Sequence, residues 1–248
     1  MRIAVAGGTG VVGRHVVRVA EARGHEVVVL TRSTGTDLTG GEGLADALVG
    51  IDAVVDVVST RAQKKEAARA FFGAITRNLL AAEVVAGVGH HVVLSIVGID
   101  RVPSGYYAGK LLQEDLAMAG PVPWSVLRAT QFHEFAEQAL GFARIGPFSL
   151  VPRMTTQPIA AQEVAAALID LVERGPQGRL PDLAGPEKRE LIELCRMINH
   201  ERRLGRRVVG VRLPGAWGRG MRSGALTPAY DGPRGTCTFE GWLSRSSV

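Results

Sequence analysis

The stretch Arg2-Ile3-Ala4-Val5-Ala6-Gly7-Gly8-Thr9-Gly10-Val11-Val12-Gly13-Arg14-His15-Val16-Val17 decides the fold. Residues 2–6 are an apolar run of strand length. Residues 11–23 then carry Val12, His15, Val16 and Val19 on one helical face, and Gly24 stops the helix. Residues 25–30 follow as a second strand, rich in valine and apolar enough to be covered on both faces. Between the first strand and the helix, Gly7, Gly10 and Gly13 recur at intervals of three. The first permits a tight turn, the second lets backbone N–H groups approach a ligand, and the third lets the helix pack close to the sheet.

The alternation continues outward from this unit. A short helix is expected over 44–48, a third strand over 53–58, a long helix over 67–85 and a fourth strand over 91–95. A helix over 105–118, left through Gly120 and Pro121, leads to a further strand over 125–128. Strands that alternate with helices predict an α/β fold, a Rossmann-type doubly wound parallel sheet. Composition agrees: 46% of residues are hydrophobic and only 5% aromatic, so the core is built from Val, Ala and Leu. A length of 248 residues suits one integrated domain, with residues 1–150 as the core and 151–248 as a smaller C-terminal lobe. The strongest helical patterns of that lobe are 161–174 and 191–203. Ligands of open α/β sheets bind outside the carboxyl ends of the strands, so such a lobe would close over a bound molecule and help to form the substrate pocket.

A glycine turn that opens a helix is a place for phosphate, because the helix N-terminus presents unpaired N–H donors and a positive dipole end. Gly7, Thr9, Gly10, Val11, Val12 and Gly13 are therefore expected to hold the diphosphate of a dinucleotide. Val58 and Ser59, at the end of the third strand, are expected to border the same cleft. The end of the second strand chooses between dinucleotides. An acid there would bind the ribose hydroxyls of NAD, whereas this chain has Thr31-Arg32-Ser33. A guanidinium grips a 2′-phosphate bidentately and neighbouring hydroxyls add hydrogen bonds, which favours NADP(H). Asp37 is close enough in sequence for a loop to bring a carboxylate near the adenosine, and Arg14 is either a second cation or a solvated helix residue.

Tyr106 and Lys110 stand four apart on one face of a helix. An ammonium near a phenol favours the phenolate, so the pair can move a proton nearer neutral pH. Ser95 ends the preceding strand and can hold a carbonyl oxygen beside Tyr106. The plainer alternative is an aromatic packed on a helix with an exposed lysine. No metal site is expected. His90 and His91 are adjacent on a strand and point to opposite faces, and His133-Glu134 is followed by Glu137 where a zinc protease helix needs histidine. Asn78, on the long central helix, is expected to be a helix-buried amide, with a bond to backbone or water near the site as the alternative.

The formal charge of +5 is concentrated late, in Arg196, Arg202, Arg203, Arg206, Arg207, Arg212, Arg219 and Arg222. No stacking aromatics or zinc spacing accompany this run, so solvated faces are expected rather than nucleic acid. Cys195 and Cys237 lack metal-ligand or redox-pair spacing and are expected to be reduced thiols. The start MRIAVAGG is too short an apolar run for a signal-peptide core, and no stretch is long enough to span a bilayer. The expected setting is the cytoplasm, with a small-molecule substrate and no membrane partner; a homo-oligomer is left open.

With the glycine turn, Arg32, Ser95 and Tyr106-x-x-x-Lys110 in sheet order, the chain resembles an atypical short-chain dehydrogenase/reductase of the NmrA-like, NAD(P)H-binding group. Val93-Leu94-Ser95-Ile96-Val97-Gly98 and Leu127-Arg128-Ala129-Thr130-Gln131-Phe132-His133 are similar to stretches of that group. The likeness covers most of residues 1–190, and Ala6 departs from the Ser or Thr that relatives often carry. It implies that the first stretch carries an active-site serine and that Gln131, Phe132 and His133 border the nicotinamide and the substrate pocket. It also implies NADP(H) and an NADPH-dependent oxidoreductase that reduces a carbonyl, quinone or similar acceptor, with Tyr106 as the proton donor and Lys110 also holding the nicotinamide ribose. Two alternatives stand beside it: a non-catalytic NADP(H)-sensing protein, as some relatives are, and a sugar-nucleotide epimerase, for which the small second lobe leaves little room.

Overall fold

The computed structural model describes residues 1–245. Its central element is a six-stranded sheet of β1 (Arg2–Ala6), β2 (Glu26–Leu30), β3 (Ala53–Asp56), β4 (His90–Ile96), β5 (Trp124–Ala129) and β9 (Gly178–Arg179). Their order across the sheet is β2-β1-β3-β4-β5-β9, with β1 parallel to both β2 and β3, β3 parallel to β4 and β5 parallel to β9. Parallel neighbours need crossovers, and the helices supply them: α1 (Val11–Ala22), α2 (Leu44–Ala47), α3 (Lys65–Ala86), α4 (Gly105–Ala119) and α6 (Ala161–Arg174). The Rossmann-type fold expected from the sequence is the fold observed.

Why these residues form these elements is plain in their burial. Every residue of β3 and all but Ile96 of β4 are buried, as strands covered on both faces must be, and β2 is only partly covered at the edge of the sheet. Ala4, Ala6, Val54, Phe72, Ile75 and Leu79 share one core cluster beneath α3. Helices α3 and α4 approach closely because Gly109 leaves room: a Cβ there would fall 2.7 Å from the ring of Phe72. The chain turns outward from β1 to β2 and then crosses back to β3, so the strand order reverses between β1 and β3. That reversal opens the crevice in which α/β sheets bind ligands.

The division expected at residue 150 is not where the chain divides. One compact unit takes residues 1–95, 104–128 and 164–181, and the other takes 96–103, 129–163 and the chain from 182 onward. The reason lies in β9, which pairs with β5 and so draws the crossover helix back to the first unit. There Arg23 of α1 holds Asp170 and Glu173 at 2.7 and 2.9 Å.

The second unit is made of α5 (His133–Phe142), β6 (Arg144–Ile145), β7 (Phe148–Pro152), β8 (Thr155–Thr156), β10 (Arg189–Glu190), α7 (Leu191–Glu201), β11 (Arg207–Val211), α8 (Gly215–Arg222) and α9 (Phe239–Arg245). Its three-stranded sheet runs β11-β7-β6, with Ser149 and Val151 of β7 buried. Within this unit His133 is buried and donates from Nε2 to the carbonyl of Cys237 at 3.0 Å, edge-on to Phe239. Both cysteines are free thiols, and burial pushes that of Cys195 up to about 12. No described helix is long and apolar enough to cross a membrane, and no described group of His, Cys, Asp and Glu has the arrangement of a metal site.

Candidate functional site

Gly7 follows β1 with φ +86, a conformation glycine adopts freely, and a Cβ on it would lie 2.9 Å from the backbone of Val57 and Val58. The turn thus lies against the end of β3, at the strand-order reversal. Gly10 N donates to Gly7 O at 2.9 Å to close it. Gly10 then caps α1 without a side-chain hydrogen bond, and the first turn holds no acid. The N-terminal N–H groups of α1 are left for something else to bind, which is the condition for holding a phosphate. Thr9 and Gly10 are exposed, Val11 is half-buried and Val12 is buried. The residues present fit a dinucleotide diphosphate.

Beyond β2, Arg32 opens a single 3-10 turn, Arg32–Thr34. Thr31 Oγ1 lies 2.8 Å from Ser33 Oγ and 3.1 Å from Thr34 Oγ1, while Thr34 Oγ1 donates to the carbonyls of Val29 and Thr31. The hydroxyls hold the turn in shape. Arg32 is exposed and has no ion-pair partner among the described residues. Asp37 is already engaged, accepting from Thr39 N at 3.0 Å. Asn78 of α3 secures the same loop by donating to the carbonyls of Leu38 and Thr39 at 3.1 and 2.8 Å.

The predicted Tyr-Lys pair is on one helix, but its two side chains have different partners. Lys110 is buried; its Nζ donates to the Leu94 carbonyl at 2.6 Å and to Gln113 Oε1, and it stands 5.1 Å over the Phe72 ring. Gln113 Nε2 in turn donates to Asp56 Oδ2 at 2.6 Å, and Asp56 Oδ1 accepts from Val58 N at 3.0 Å. This chain moors α4 to the ends of β3 and β4. Burial pulls the Lys110 ammonium down to about 8, against the opposing pull of Asp56 and Glu114.

The phenol of Tyr106 meets Ser59 instead, with 3.0 Å between the two oxygens, and its ring packs edge-on against Phe72. Burial raises its pKa, and the Ser59 hydrogen bond opposes the rise. The expected lowering by Lys110 is therefore corrected: the ammonium lies on Leu94 and Gln113 and does not contribute. Ser95 is buried with an unpartnered Oγ, and the hydroxyl beside Tyr106 belongs to Ser59.

Gln131 and Phe132 belong to the second unit. There Thr156 Oγ1 donates to Gln131 Oε1 at 2.9 Å, and Phe132 bridges to Ile159. Asp56 and Gln113 escaped the sequence reading. A carboxylate ending an otherwise apolar buried strand, and an amide one turn after Lys110, were the available signals. The nearby histidines have structural partners: His90 meets Ser125 Oγ at 2.8 Å, and His91 meets Glu83 at 2.7 Å.

A glycine turn at a strand-order reversal, with an uncapped helix N-terminus behind it, defines a dinucleotide-binding Rossmann protein. Residues 7–174, well over half of the chain, match the NAD(P)H-binding family model. The chain belongs to that family, so the NAD(P)H-binding part of the resemblance is borne out. It is similar to the photosystem II assembly factor Ycf39 of Synechocystis sp., at 29% identity over 222 residues, 80% of this chain and 68% of that protein.

Among solved structures it is similar to MoeE5 in complex with UDP-glucose and NAD, at TM-score 0.71 and 20% identity over 100% of this chain and 99% of that one. A short-chain dehydrogenase/reductase superfamily protein from Agrobacterium tumefaciens with bound NAD gives 0.69 and 20%, over 100% and 96%. DesIV, a dTDP-glucose 4,6-dehydratase from Streptomyces venezuelae, gives 0.72 and 19%, over 100% and 96%. At these identities the three structures establish the fold alone.

Proposed function

We propose that the protein is an NADP(H)-dependent reductase of a small carbonyl, quinone or similar acceptor, working in the cytoplasm without nucleic acid or membrane. The observation that carries this reading is the position of Tyr106, whose hydroxyl stands on Ser59 just beyond the strand end that backs the Gly7 turn. When bound, the cofactor supplies a hydride to the acceptor carbon. Tyr106 gives the proton that the developing oxyanion needs, and burial keeps its phenol protonated at neutral pH for that purpose. Lys110 acts as a positioning residue, fixing α4 through Leu94, Gln113 and Asp56 so that Tyr106 faces Ser59. Gly7, Gly10 and Gly13 with the first N–H groups of α1 hold the diphosphate, and Arg32 holds the 2′-phosphate.

Support for NADP(H) over NAD comes from the exposed Arg32 guanidinium, which has no ion-pair partner among the described residues. The test is fluorescence titration with NADPH and NADH, followed by a panel of carbonyls and quinones monitored for NADPH loss. Turnover that survives Tyr106→Phe undiminished would remove the assigned acid.

A second reading, an NADP(H)-binding regulator without turnover, is favoured by one observation: Lys110 is turned from the phenol to the Leu94 carbonyl. It keeps the glycines and Arg32 and has no use for Tyr106. In that case a partner's binding, rather than any acceptor's reduction, responds to the dinucleotide.

A further inference from the structure

A half-buried phenol that gives away its proton has to recover one. Tyr106 has few routes. Its ring packs against the core beneath α3 and edge-on to Phe72, and Ser59 is the one hydrogen-bond partner of its hydroxyl among the described residues. Lys110 is buried with its ammonium committed to Leu94 and Gln113, and Ser95 Oγ makes no hydrogen bond to the phenol among the described residues. Ser59 differs from both. It is exposed three residues beyond the end of β3, so its hydroxyl meets Tyr106 at a place that water reaches.

We propose that Ser59 is the relay residue that returns a solvent proton to Tyr106 after each reduction. The proposal rests on the reductase reading. After Tyr106 has protonated the substrate oxyanion it is a phenolate. The Ser59 O–H bond breaks and its proton forms the new Tyr106 O–H bond, while a proton from water or a buffer acid re-forms the hydroxyl on Ser59. Only O–H bonds change, no electrons are transferred, and one bulk proton is consumed per turnover, matching the one delivered to the product. A hydroxyl suits the task because it donates and accepts at once.

The first test needs no turnover. Ultraviolet titration of the phenol, read as the difference between each protein and its Tyr106→Phe counterpart, should move upward by about half to one unit in Ser59→Ala, because a donor to the phenolate is lost. The second uses whichever acceptor the wild type reduces. Ser59→Ala should lower kcat by roughly 10- to 100-fold, beyond any change in KM or NADPH affinity and at saturating NADPH, most strongly at alkaline pH where solvent acid is scarce.

Small weak acids added as buffer should restore the rate in proportion to their concentration, and Ser59→Thr should retain it. An unmoved phenol titration, a kcat equal to wild type, or a loss confined to NADPH affinity would each overturn the relay while leaving the reductase intact. A wild type that binds NADPH and reduces no acceptor removes the reductase reading, and the relay with it.

Discussion

Gly13 packs so closely beneath Gly7 that a Cβ on it would fall 2.1 Å from the Gly7 carbonyl oxygen. A side chain there has to displace backbone, not another side chain. Gly10 differs: its Cβ would lie 3.2 Å from the same oxygen, and its φ of −75 suits alanine. Gly13→Ala should therefore lower stability by about 1–3 kcal/mol or more, read from the denaturation midpoint. Gly10→Ala should melt like the wild type and still lose NADPH affinity, since its methyl occupies the approach to the diphosphate. A Gly10→Ala protein with unchanged affinity would place the diphosphate elsewhere.

Arg32 should discriminate between cofactors. A charge-assisted pair to a 2′-phosphate is worth about 1.5–3 kcal/mol, so Arg32→Ala should weaken NADPH by roughly 10- to 100-fold and leave NADH nearly unchanged. Equal losses for the two nucleotides, measured by fluorescence titration, would remove the basis of the NADP(H) assignment.

The local elements were legible, and the long-range partners were not. β1 and α6 have the predicted bounds, because an apolar run ended by glycine and a strongly amphipathic helix both carry their signal within a dozen residues. The reading ended β3 two residues late and α7 two residues late, within the ordinary fraying of element ends. It missed α5, although His133, Ala136 and Leu140 are buried at helical spacing. β6, β8 and β10 are two residues each, too short for any period to show. β11 was hidden because Val208-Val209-Gly210-Val211 follows a cluster of arginines that drew attention to charge.

In the candidate site the glycine turn was readable from spacing alone. The direction of Lys110 was not, since it depends on Gln113, Asp56 and a carbonyl of β4. Nor could spacing pair Tyr106 with Ser59, which is 47 positions away.

Glu83 and His91 form a fully buried pair, 2.7 Å apart. Removing one partner of such a pair is costly, so Glu83→Ala should lose about 3–5 kcal/mol of stability without altering NADPH affinity per folded molecule. Burial pulls the His91 pKa down, but Glu83 and Asp56 outweigh it and the net shift is upward from 6.5. The folded state then holds a proton that the unfolded chain releases. This part of the stability is complete below pH 6.5 and is lost as pH rises through the folded value. Urea midpoints measured from pH 6 to 8 should fall along that slope, and His91→Asn should abolish it. A wild-type midpoint that rose over this window would contradict the charged pair.

Lys110 should act in the opposite sense and in a later window. Its pKa falls from the ordinary 10.5 to about 8 on folding, chiefly through burial, so between those values the unfolded chain binds the extra proton. Stability should increase as pH rises from about 8 toward 10.5, by up to roughly 3 kcal/mol from this group alone.

The comparison is between wild type and Lys110→Met, whose stability lacks this alkaline gain whatever its absolute value at neutral pH. The informative quantity is the difference between the two urea-midpoint curves, because tyrosine ionisation is common to both proteins and cancels. A difference that stays flat from pH 8 to 10 would mean that the ammonium keeps its ordinary affinity for protons. The mooring of α4 through Leu94 and Gln113 would then have to be reached by water.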